Sequence, residues 1–129
     1  MLAAVLLLWL FSNAAAAAEA RFEITRDNGG RAVLVFAGAP LKAMTEIPFT
    51  IAIYDARGNP LREAKLKLSL TMPFMPMPPN HPEASWSEGA YRGTAVFTMA
   101  GAWQVHVDIE QPGAATENLV FDLEMVIMQ

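Results

Sequence analysis

The stretch Ala64 to Met72, AKLKLSLTM, alternates without a break. Leu66, Leu68, Leu70 and Met72 fall on one side, and Lys65, Lys67, Ser69 and Thr71 on the other. A second stretch, Ala102 to Glu110, repeats the pattern with Trp103, Val105, Val107 and Ile109 against Gln104, His106, Asp108 and Glu110. A period of two is the signature of a strand with one wet face, because successive side chains leave the pleat in opposite directions. A helix would need a period of 3.6, so these two segments fix the class as β.

Shorter runs extend the pattern. Arg21 to Arg26 alternates, and Asp27 to Gly30 (DNGG) then reads as a hairpin turn, because Asn and Gly tolerate positive φ. Arg31 to Ala37 is almost continuously apolar, as a central strand is. Phe49 to Asp55, Tyr91 to Met99 and Leu119 to Met128 complete the set. Leu41 to Glu46 has room for one helical turn at most. About seven strands with short turns predict an antiparallel β-sandwich of immunoglobulin-like architecture. The Cys–Trp–Cys pattern of true immunoglobulin domains is absent, since the chain has no cysteine.

The chain has 129 residues and is 53% hydrophobic. Part of that excess lies in Leu2 to Phe11, an apolar run of the length of a signal-peptide core and too short for a comfortable membrane span. Ala16-Ala17-Ala18 satisfies the small-x-small rule for cleavage, so residues 1–18 read as a signal peptide and 19–129 as the mature domain. No Lys or Arg precedes the run, and the alternative is an uncleaved anchor. Either way the domain is exported, to the periplasm or beyond. A cysteine-free exported chain needs a core that stands without disulfides.

The composition excludes several functions. The net charge is -4 and no Lys/Arg cluster exists, which argues against nucleic acid. Thiol catalysis, Cys-ligated zinc and iron–sulfur clusters require cysteine. There is no G-x-S-x-G, no Walker A loop, no G-x-G-x-x-G and no H-E-x-x-H, so the expectation is a protein without enzymatic activity.

What remains is Thr71 to Trp86, TMPFMPMPPNHPEASW. Its five prolines cannot donate ladder hydrogen bonds, which predicts an extended or polyproline II loop. Met72, Met75, Met77 and His81 lie along it. Thioether sulfur is soft and neutral and prefers Cu(I) to hard divalent ions, and imidazole suits the same ion. Met72 shares the inward parity of Leu66, Leu68 and Leu70, so the metal-facing set centres on Met75, Met77 and His81 with Met72 as a fourth. Methionine is equally an adaptable core filler, and a loop that plugs the end of the sandwich is the competing reading. His106 reads as a surface histidine. Met99 and Trp103 read as core by parity. Trp86 reads as an exposed aromatic lid on the loop.

The combination of MPFMPMPPNHP with YRGTAVFTMAGAWQVHVDI resembles the YtkA-like domain, a relative of the FixH group, over roughly residues 48–109. The resemblance implies a small exported or membrane-anchored β-sandwich without known catalytic activity. It implies copper handling through Met72, Met75, Met77 and His81. It also implies a partner among copper-handling membrane proteins or the assembly components of a haem–copper oxidase. Met99 and Trp103 match the family's hairpin motif. FixH itself keeps a membrane anchor, and here the segment looks cleavable. A metal-free interaction module, with the Pro/Met loop as an adaptable apolar patch for such a partner, is the alternative function.

Overall fold

The computed structural model describes residues 18–128. The signal-peptide expectation for residues 1–18 therefore lies outside the described residues, except for Ala18. Eight strands form: β1 Ala20–Thr25, β2 Arg31–Phe36, β3 Ile47–Tyr54, β4 Lys65–Thr71, β5 Ala84–Ser87, β6 Ala90–Ala95, β7 Gly101–Glu110 and β8 Glu117–Val126. They make a five-stranded sheet, β1-β2-β3-β6-β5, and a three-stranded sheet, β4-β7-β8, antiparallel throughout. The chain is an all-β sandwich.

The period-two rows become the core. Leu66, Leu68 and Leu70 of β4 and Trp103, Val105, Val107 and Ile109 of β7 are buried against Phe49, Ile51 and Ile53 of β3 and Ala32, Leu34 and Phe36 of β2. β2 is the nearly continuous apolar run, and its place between β1 and β3 explains why Val33 is buried as well. Phe97 stacks edge-on against both Phe36 and Trp103, at ring-centroid distances of 5.7 and 5.3 Å, and joins the two sheets.

The ends of the sandwich are closed differently. At one end Arg26 follows β1 and is 7% exposed. Its guanidinium donates through Nε and Nη2 to the two oxygens of Glu117, at 3.0 and 2.7 Å, and through Nη1 to the Tyr54 carbonyl at 3.0 Å. The first sheet is thus pinned to the start of β8 in the second. At mid-sandwich the Tyr91 hydroxyl accepts from the Ala64 N–H and donates to the Leu61 carbonyl, which ties the β3–β4 connection down. Burial raises the Tyr91 pKa above that of a free phenol.

Four expectations are corrected. The stretch expected to be loop up to Trp86 contains the eighth strand, β5, in which Trp86 pairs with Tyr91. Trp86 is half-buried, with its ring 4.9 Å from that of Tyr91, and is no exposed lid. β5 can lie there because Gly93 of β6 has no side chain: a Cβ on it would stand 2.1 Å from the Glu83 carbonyl oxygen and 2.7 Å from Phe49 Cζ. The strand expected over Tyr91 to Met99 ends at Ala95, because its partner β3 begins at Ile47, opposite Ala95. Beyond that point parity is no longer enforced by pairing: Phe97 is still buried, and Met99 is exposed rather than core. Leu41 to Glu46, with room for one helical turn at most, has none, in keeping with that limit, and Lys42 bridges to Ile127 in parallel.

Two outcomes are expected. The Glu117 pKa lies below its usual value, chiefly because Arg26 donates to the carboxylate, with burial opposing. A depressed folded-state pKa means the unfolded chain binds more protons in the window between the two values, so stability rises with pH there. The contribution is whole above the ordinary carboxylate range and is lost as pH falls through the lowered value. Glu117→Gln should lower stability at neutral pH by about 1.5–3 kcal/mol, the range for hydrogen bonds to charged groups. It should also flatten the acid limb of a melting-temperature profile. An unchanged acid limb would assign the pair no role. Gly93→Ala should cost about 1–3 kcal/mol by overpacking and red-shift Trp86 fluorescence as β5 is pushed from β6.

Candidate metal-binding end and the histidine cleft

The Met/Pro stretch is built on the end of β4. Met72 follows the last strand residue and bridges to Met75, whose N–H donates to the Met72 carbonyl at 3.3 Å. Pro73 and Phe74 form the tip between them, and Phe74 is 91% exposed. The chain then turns back along the free edge of β4. The Leu70 N–H donates to the Asn80 carbonyl at 2.9 Å, and the Asn80 amide donates to the Val96 carbonyl at 2.9 Å. A proline-rich segment suits this place, because it runs beside an edge strand without needing a ladder of its own.

This path divides the four expected ligands. Met72 packs on the core, with its methyl carbon lying over Gly101: a Cβ there would come within 2.8 Å of it. Gly101 also has φ +132, so the β7 start needs glycine on two counts. Met77 is half-buried against the core. Met75 is 45% exposed and presents its thioether at the surface. His81 is held opposite Leu68, four residues back from Met72. At about 3.3 Å per strand residue that is about 13 Å along β4. Met72 and Met75 therefore belong to the end of the sandwich, Met77 to the segment that returns from it, and the imidazole to its side.

The side is an open cleft of 670 Å³, lined among others by Ser69, His81, Glu83, His106 and Asp108. Hydrogen bonding assigns the tautomers of both imidazoles. His81 Nδ1 lies 2.9 Å from the Leu68 carbonyl. A carbonyl only accepts, so Nδ1 carries the proton and neutral His81 keeps its lone pair on Nε2. The Gln104 amide nitrogen donates to Asp122 at 2.9 Å, which turns Gln104 Oε1 toward His106 Nε2 at 3.1 Å. His106 Nε2 is then the donor, and Nδ1 holds the lone pair. A ring nitrogen fixed by a carbonyl or amide oxygen, with the other left free, is the arrangement that orients imidazole toward a metal or a proton.

His106 is on the outward face of β7, opposite Ser69, where alternation places it. That it borders the same cleft as His81 was not legible in the sequence, since β4 and β7 are far apart in the chain. Among the described residues no three His, Asp or Glu side chains gather closely enough to hold a metal ion. With no cysteine in the chain, its soft side-chain ligands are thioether sulfur and imidazole.

Structural comparison gives copper proteins as neighbours in fold. A copper-bound variant of FetP from uropathogenic Escherichia coli strain F11 superposes with a TM-score of 0.57 at 11% identity, covering 84% of this chain and 98% of that one. As-isolated FetP from the same strain gives 0.56 at 12%, covering 84% and 97%. A copper-bound variant of Campylobacter jejuni P19 gives 0.57 at 10%, covering 84% and 98%. No curated protein sequence matches. At these identities the likeness concerns the fold. The sequence model of one family matches residues 26–108, from the buried arginine through the last cleft residue of β7. The chain belongs to the YtkA-like family.

Proposed function

We propose that this is an exported, non-enzymatic copper protein that takes Cu(I) through Met75 and Met77, assisted by Met72 and His81, and acts as a carrier or buffer. The observation that carries the reading is the tip at residues 72–77. There Met75 is exposed and its backbone is bridged to that of Met72, on a segment stiffened by proline, in a chain without thiols. Soft neutral sulfur favours Cu(I) over hard divalent ions. The FetP and P19 structures that share the sandwich are copper-bound, which supports copper as the ion.

The donors form a line rather than a closed shell. Met75 is at the surface, Met77 lies on the returning segment, and His81 Nε2 stands further along β4. An incomplete, exposed set suits an ion that is passed on rather than stored. The recipient would be a copper-handling membrane protein or an oxidase-assembly component on the exported side of the membrane.

A second reading has its own observation. Phe74 is almost fully exposed at the tip, and an aromatic side chain held out in solvent suits a protein partner. In that reading the loop docks without metal.

A Cu(I) titration against a competing chelator separates the two. The copper reading expects a dissociation constant below about 1 µM, or 8 kcal/mol of binding, and at least tenfold weaker binding in Met75→Leu/Met77→Leu/His81→Ala. Unchanged binding in that variant would remove the site. Partner capture that persists in chelator and is lost in Phe74→Ser would favour docking. Long-range ¹⁵N spectra should show His81 protonated on Nδ1 and bare on Nε2; the reverse tautomer would withdraw His81 from the ligand line.

A further inference from the structure

Among the described residues no methionine is buried in the core, although methionine is among the residues most often buried. All seven methionines of the described residues lie in the segments that meet at one end of the sandwich: Met44, Met72, Met75, Met77, Met99, Met125 and Met128. That end is opposite the Arg26–Glu117 pair. Core filling does not explain the pattern, because five of the seven are exposed.

Three of them sit on backbone segments stitched directly together. The Ala43 N–H donates to the Ile127 carbonyl at 2.8 Å, and the Ile127 N–H donates to Leu41 at 2.9 Å. The Met44 N–H donates to the Phe97 carbonyl at 2.7 Å, and the Met99 carbonyl accepts the Trp103 indole N–H at 2.9 Å. The segments carrying Met44, Met99 and Met128 are thus joined, with these side chains 65%, 41% and 69% exposed. Met44 has φ +60, in the left-handed region where a non-glycine residue is strained.

We infer that Met44, Met99 and Met128 form a second binding site for a soft monovalent d¹⁰ ion, separate from the loop at residues 72–77. Three exposed, neutral thioethers on three segments joined by backbone hydrogen bonds are of the ligand type that selects such ions. The site shares the ligand chemistry of the copper reading and none of its residues. The backbone bonds are in place before the ion arrives, so only side-chain rotamers are ordered on binding.

The test follows ¹³C-methyl methionine signals in the purified protein as Ag(I) is added. Ag(I) has the same preference for thioethers and is not oxidised in air. Each signal is assigned by a single Met→Leu change. In the Met75→Leu/Met77→Leu variant the Met44, Met99 and Met128 methyls should still shift together and saturate at one equivalent. Met44→Leu/Met99→Leu should abolish that equivalent while the Met75 signal still responds. The inference is overturned if the three methyls do not move, if they move without saturating, or if their response vanishes in Met75→Leu/Met77→Leu. Silence at Met44, Met99 and Met128 with a response at Met75 overturns this site alone. Silence at all seven overturns the copper reading with it.

Discussion

Two backbone groups on the free edge of β4 decide where the candidate chemistry lies. The Leu68 carbonyl and the Leu70 N–H point away from β7 and need partners. They find them in His81 Nδ1 and the Asn80 carbonyl. Meeting them forces the Met/Pro stretch to double back on β4. That return produces the tight Met72–Met75 tip and holds the His81 ring with one nitrogen free. It also delivers the chain to Gly93, where β5 can add to the other sheet. The edge is covered, and the covering segment carries the soft ligands.

The two ends of the sandwich follow opposite strategies. One is closed by a bidentate ion pair with a third hydrogen bond to a carbonyl, a rigid and directional closure. The other carries the methionines, most of them exposed, whose unbranched thioethers adapt to neighbours and make few directional demands. A rigid end anchors the sheets, and the adaptable end presents the exposed thioethers. The histidine cleft lies between them, on the wet face of β4 and β7, and its two imidazoles are oriented by different acceptors.

Much of the fold was legible residue by residue. The rows Leu66-Leu68-Leu70 and Trp103-Val105-Val107-Ile109 announced both a strand and its inward face, and both are buried as their parity requires. β2 announced its central place by being apolar on both faces. β5 was not legible, because ASWS is short and follows five prolines in twelve residues. Met99 misled because parity holds only while a strand is paired. The Arg26–Glu117 pair gave no local signal, since its partners are 91 residues apart.

The residues themselves determined the class of the fold, the absence of thiol chemistry, and soft sulfur with imidazole as the available metal ligands. Those conclusions rest on local alternation and on side-chain chemistry, which need no long-range information. Tertiary structure alone decided that Met72 and Met75 part from His81, that His81 shares a cleft with His106, and that the segments carrying Met44, Met99 and Met128 are joined. These depend on which strand edges must be satisfied and on where pairing stops. Such constraints act between segments distant in the chain, and no periodicity within one segment records them.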